Sequence, residues 1–149
     1  MKIPPAPKIP LFDNGHWSFD MKMGNGIGFI YVIRDKELKK LYLGKKQYRS
    51  TRGEQKEYNW KGYVSSSATL QKMFEFRDKE EFDFICLDEY KTKGGLKYAE
   101  TWSLCFVNAV MKEEWLNGQI EKITWKVKEG VTRKHIERLG KTILWENIR

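Results

Sequence analysis

The chain has 149 residues, 40% of them hydrophobic and 32% charged, which is enough for one core and too little for a second domain. A formal charge of +8, from 28 Lys plus Arg against 20 Asp plus Glu, suits a polyanionic partner, whether nucleic acid or an acidic protein. The two cysteines, Cys86 and Cys105, stand in no CxxC or Cys/His spacing that would bind zinc, and no segment of eighteen apolar residues exists to span a membrane.

All four prolines fall within residues 1–15, so the chain opens as an extended arm, and prolines interrupt the apolar run that a signal peptide needs. A cytoplasmic protein is expected. His16 to Met23 alternates like a strand or sheet edge before Gly24-Asn25-Gly26 breaks the chain. Phe29 to Ile33 is a run of β-branched and aromatic residues, Arg34 to Lys40 is a charged turn, and Leu41 to Lys46 resumes the apolar pattern. The two arms predict a β-hairpin with one tyrosine on each strand, Tyr31 and Tyr42. Side chains alternate along a strand, so Tyr42, Gly44 and Lys46 share one face while Leu41, Leu43 and Lys45 share the other.

A polar loop from Gln47 to Asn59 brings Arg49, Arg52 and Lys56 near the tyrosines in sequence and closes at Trp60-Lys61-Gly62-Tyr63. From Arg34 to Lys61 there are ten cations and four anions, net +6, whereas Glu75 to Glu100 carries five cations and eight anions, net −3. Ser65-Ser66-Ser67 offers an N-cap for a helix from Ala68 to Phe76, with phosphate contact as the other use of the serines. Phe82 to Leu87 reads as a strand paired with the hairpin, and Lys91 to Gly95 as a turn. A helix from Leu96 to Trp115 is apolar almost all round, as a core helix is. Glu100 is the only acid in its first three turns, and a carboxylate among dry residues needs a cation, a metal or an opening to solvent. A salt bridge to Lys97 or to a hairpin lysine would meet that need as well. Ile120 to Val127 alternates like a last strand, and Thr132 caps a short helix from Arg133 to Leu139 that ends at Gly140. Arg133, Lys134 and Arg138 face out from it, either into solvent or onto phosphates.

The order strand-strand-helix-strand-helix makes the fold class α+β. Residues 1–27 are read as a proline-rich arm, 28–120 as the main domain, and 121–149 as a basic extension packed on it.

FIY, followed eleven residues later by YLG, resembles the paired signature of the GIY-YIG nucleases, with Phe29 in place of the first glycine and Leu43 in place of the isoleucine. The fold that this resemblance implies, a small antiparallel sheet with flanking helices, matches the strand-strand-helix-strand-helix order. The resemblance implies a metal-dependent DNA endonuclease using one divalent ion, Mg²⁺ or Mn²⁺, and no small-molecule cofactor. It implies that Tyr31 helps to deprotonate the attacking water beside Tyr42, that Glu100 binds the metal, and that Asn117, in Trp-Leu-Asn, completes the pattern. Arg49 or Arg52 would steady the phosphate with Lys46 as neighbour. Lys45, Lys56, Lys61, Ser66, Arg133, Lys134 and Arg138 are the further candidates for contact with nucleic acid. GKKQYR and WKGYVSSS also resemble phage-borne members. The histidine that many members carry after the arginine is absent; His16 and His135 lie elsewhere. That departure, with the missing glycine, keeps a rival open: an inactive nucleic-acid- or protein-binding module on the same fold, monomeric or dimeric.

Overall fold

The computed structural model describes residues 12–54, 56–118 and 133–139. Three strands, β1 (Gly28–Asp35), β2 (Leu41–Gln47) and β3 (Phe82–Tyr90), form an antiparallel sheet in the order β2-β1-β3. Helices α1 (Ala68–Phe76) and α2 (Lys93–Phe106) and a short α3 (Arg133–Leu139) flank it. This is the α+β architecture that the alternation predicts. No helix among the described residues is long and apolar enough to cross a membrane.

Strand β1 is central, and alternation sends its apolar residues to two cores. Ile30 and Val32 join Leu43, Ile85 and Leu87 under Leu96, Ala99 and Leu104 of α2. Phe29, Tyr31 and Ile33 face the other way, into an aromatic layer with Trp17, Tyr48, Trp60 and Phe84, closed by Leu70 of α1. The hairpin turn is set by buried Asp35, whose carboxylate accepts the backbone N–H groups of Glu37 and Leu38 at 3.0 Å each and is capped by the Arg77 guanidinium. That pairing holds the Asp35 carboxyl below the usual range against the opposing effect of burial.

Helix α1 has the predicted bounds, with Ser67 as its N-cap. Helix α2 does not. Thr92 caps it, accepting the Gly95 N–H at 3.0 Å, so the expected turn at Lys91 to Gly95 contributes its first residues. It stops at Phe106 rather than Trp115 because Asn108 turns left-handed, with φ of 52°, and folds Val107 and Ala109 into the core as a turn. The all-round apolar pattern thus belonged to a helix plus a turn, and Tyr98 and Phe106 are exposed.

The strand expected from His16 to Met23 is reduced to one parallel bridge, Ser18 to Ile85. The buried Asn14 side chain donates to the Met21 carbonyl and accepts from the Met23 N–H, which curls the segment into a loop. Trp17 plugs the aromatic layer, its indole N–H donating to the Trp60 carbonyl at 2.7 Å. At the far edge, His135 of α3 stacks on Tyr90 with centroids 4.2 Å apart. The expected strand from Ile120 to Val127, the Thr132 cap and the Gly140 stop lie outside the described residues, as do residues 1–11 of the proline-rich arm and the side chains of Arg133 and Ile136.

Candidate active site at the outer edge of the hairpin

Tyr31 and Gly44 are paired across β1 and β2. A β-carbon built on Gly44 would lie 2.4 Å from the Tyr31 hydroxyl, so the ring crosses the neighbouring strand where only glycine leaves room. Its hydroxyl reaches the outer edge of the sheet although Tyr31 is only 1% exposed. Phe29, which stands where the signature has glycine, is wholly buried and stacks on Tyr48 at 5.3 Å. The aromatic layer absorbs that departure, with the Phe29 ring 6.0 Å from that of Tyr31, centroid to centroid.

Around the Tyr31 hydroxyl lie three other groups. The Tyr42 ring is 6.3 Å away and the Tyr63 ring 6.0 Å, centroid to centroid. Ser65 stands beside both phenols, and its hydroxyl acts to lower the pKa of each. Ser65 is buried and holds a positive φ of 92°, a strained conformation for a residue with a side chain. Burial pushes the Tyr31 phenol well above its ordinary value, with the neighbouring Tyr63 adding to the effect. Burial raises Tyr42 too, and the charge of Glu100 acts in the same direction. Both phenols are neutral near pH 7.

Lys46 shares Tyr42's face, as alternation predicts, and its ammonium sits over the rings of Tyr63 (4.3 Å) and Tyr58 (4.5 Å). Loss of solvent lowers its pKa. On the other face Lys45 meets Glu100 of α2 at 3.6 Å, with the Glu100 side chain 13% exposed. Glu100 therefore has a hairpin lysine as a partner. Among the described residues no three His, Cys, Asp or Glu side chains converge. A divalent ion at Glu100 would accordingly be held by one carboxylate, by water and by a phosphate, a donor set that suits Mg²⁺.

Asn117 also lies at this edge, but as a brace. Its side chain accepts the Leu43 N–H (3.0 Å) and donates to the Leu43 carbonyl (2.7 Å), imitating a paired strand at the middle of YLG. Arg49 donates to the Gly26 carbonyl at 3.0 Å, tying the hairpin loop to the Gly24–Gly26 turn. Arg52, Lys56 and Lys61 are exposed on the loop, Lys61 paired with Asp13 at 2.8 Å, and Ser66 is exposed beside the strained serine. Arg138 and Lys134 belong to α3, which packs on β3 at the opposite edge; Arg138 faces Asp20 (3.2 Å) and Asp88 (3.6 Å). The structure thus brings Tyr31, Tyr42 and Lys46 to one face of the hairpin and the Lys45–Glu100 pair to the other, near enough for the Glu100 charge to act on Tyr42, and leaves the α3 residues apart. Tyr63 and Ser65 were not foreseen as site residues. Both lie in WKGYVSSS, whose serines helix capping already explained.

A family model described as "Putative endonuclease segE, GIY-YIG domain" matches residues 12–120. No curated protein and no solved structure matches the chain.

Proposed function

The chain belongs to the GIY-YIG endonuclease family, and on that footing we propose that it hydrolyses phosphodiester bonds in DNA with the help of one divalent metal, Mg²⁺ or Mn²⁺. The observation that carries this reading is the meeting of Tyr42, Lys46 and the Lys45–Glu100 pair around a tyrosine laid across Gly44. We read the source as a phage or mobile element, from the GKKQYR and WKGYVSSS segments.

Hydrolysis needs an activated water, neutralised phosphate charge and help for the departing oxygen. Glu100 would hold the metal, which supplies charge neutralisation and a more acidic water when bound. Lys45 brings positive charge to the phosphate from the face of β2 opposite Lys46. For the proton, burial moves the two candidate bases in opposite directions. It makes tyrosinate scarcer and the neutral lysine amine commoner, so Lys46 takes the proton from water. Tyr31, buried and protonated, works as a positioning residue that holds Ser65 and the Tyr42 hydroxyl in place. Tyr42, half exposed, offers its O–H to a phosphate oxygen. Of the two arginines, Arg52 is the better placed to reach a strand, since Arg49 is tied to backbone carbonyls.

Plasmid nicking by the pure protein, with Mg²⁺ or Mn²⁺ against a chelator control, is the test. Nicking that disappears with the chelator supports the reading. Binding without nicking under either metal would make the chain a DNA-binding module on a nuclease fold.

A further inference from the structure

Beside the hairpin loop a cleft of about 370 Å³ opens between Asp13, the Lys22–Gly24 segment and residues 57–61. Tyr58, 40% exposed, and Trp60, nearly buried, are its aromatic walls, and the Asp13–Lys61 pair stands at its rim. The carbonyl of Trp60 receives the Trp17 indole N–H, so that wall is anchored in the core. Tyr58 is also one of the two rings that hold the Lys46 ammonium. Whatever stacks on Tyr58 is one ring away from the lysine of the site.

The lining selects among the parts of a nucleic acid. Its two carboxylates, Asp13 and Glu57, are matched by the ammonium groups of Lys22 and Lys61, so the lining as a whole offers a phosphate no net attraction. A nucleobase is neutral, has a face for Tyr58 and an edge of donors and acceptors, and the cleft supplies both kinds of partner through the Asn59 amide and the Glu57 carboxylate. Among the described residues neither of those side chains is engaged elsewhere. We propose that this cleft is a subsite for one unpaired nucleobase, next to the phosphate that Lys46 faces. The proposal rests on the endonuclease reading only for the position of that phosphate. A paired base must leave its stack to enter, and the cost is least where it is already bulged, mismatched or single-stranded. The consequence is a preference for substrates with an unpaired nucleotide at the site of attack.

Binding without metal tests the subsite apart from cleavage. Three duplexes are compared in chelator: fully paired, with one bulged 2-aminopurine, and with an abasic residue at the same bulge. The bulged base is expected to bind on the order of ten-fold tighter than the abasic bulge, the worth of one stacked base, with its fluorescence quenched. Tyr58→Phe keeps the difference, Tyr58→Ala removes it, and Asn59→Ala, which retains the ring, reduces it. Equal binding of the two bulges, a preference that survives in Tyr58→Ala, or no binding to any of the three overturns the subsite. Nicking without base preference sinks the subsite and leaves the nuclease; base preference without nicking sinks the nuclease and leaves the subsite.

Discussion

Ser65 is held at a φ of 92° and buried beside both tyrosines, and its Oγ accepts the Ser67 N–H at 3.1 Å. Such a conformation costs about 1–3 kcal/mol, which glycine would relieve, against about 1 kcal/mol for the lost hydrogen bond. Ser65→Gly should therefore melt at the same temperature or higher, yet nick at least ten-fold more slowly, because the tyrosine hydroxyls lose their common partner. Unchanged nicking would reduce Ser65 to a loop residue. Glu100 separates two roles in a similar way. Its pair with Lys45, at 3.6 Å and partly exposed, contributes about 1 kcal/mol or less, so Glu100→Ala should fold almost as stably as the parent. Metal-dependent nicking should vanish, while DNA affinity in chelator stays the same or rises, because a carboxylate that repels phosphate has gone. A mutant destabilised by about 3–5 kcal/mol, the cost of stranding a buried partner, would mark a structural ion pair instead.

At the scale of elements, β2 is an edge strand that the segment after α2 covers in part. Leu41 exchanges backbone hydrogen bonds with Glu114 and Leu116 at 2.7 Å each, and Asn117 then grips Leu43. This parallel cover holds the strand that carries Tyr42, Lys45 and Lys46. The opposite face depends on the arm, where His16 stacks on Phe84 at 3.9 Å and its Nε2 bonds the Tyr63 carbonyl at 2.8 Å. Burial lowers the His16 pKa from 6.5 to about 4. Between those values the unfolded chain takes up a proton that the folded chain refuses, so His16 removes stability as pH falls through that window. The melting temperature should drop from pH 6.5 to 4, and His16→Gln should flatten that part of the profile relative to the parent. An identical profile in the two proteins would show that His16 is not kept neutral by the fold.

Over the whole molecule, charge is divided between the two edges of the sheet. The net +6 stretch from Arg34 to Lys61 includes β2 and the loop after it, whereas acids of β3 hold their cations locally, Asp83 with Arg34 at 2.7 Å and Asp88 with Arg138 at 3.6 Å. DNA should lie along the hairpin edge and be held chiefly through its phosphates. If about five are neutralised, the logarithm of affinity should fall against the logarithm of salt with a slope of about −4.5 on duplex DNA. A slope near zero would contradict that placement.

By itself the sequence determined the hairpin, the sheet class, the α1 cap and the pairing of Tyr42 with Lys46 on one face, because period-two alternation and capping are local rules that neighbouring residues satisfy. It also carried the family signature, Tyr31 and Tyr42 with Glu100 to follow. The end of α2 was hidden: an apolar turn behind a left-handed Asn108 has the composition of more helix. Only the tertiary structure decided that Glu100 meets Lys45 and that Asn117 clasps Leu43. It alone brought Tyr63 and Ser65 between the tyrosines and set burial to shift the phenols and Lys46 in opposite senses. Each of those outcomes depends on segments distant in the chain being packed together, and burial, which decides protonation, exists only after they pack.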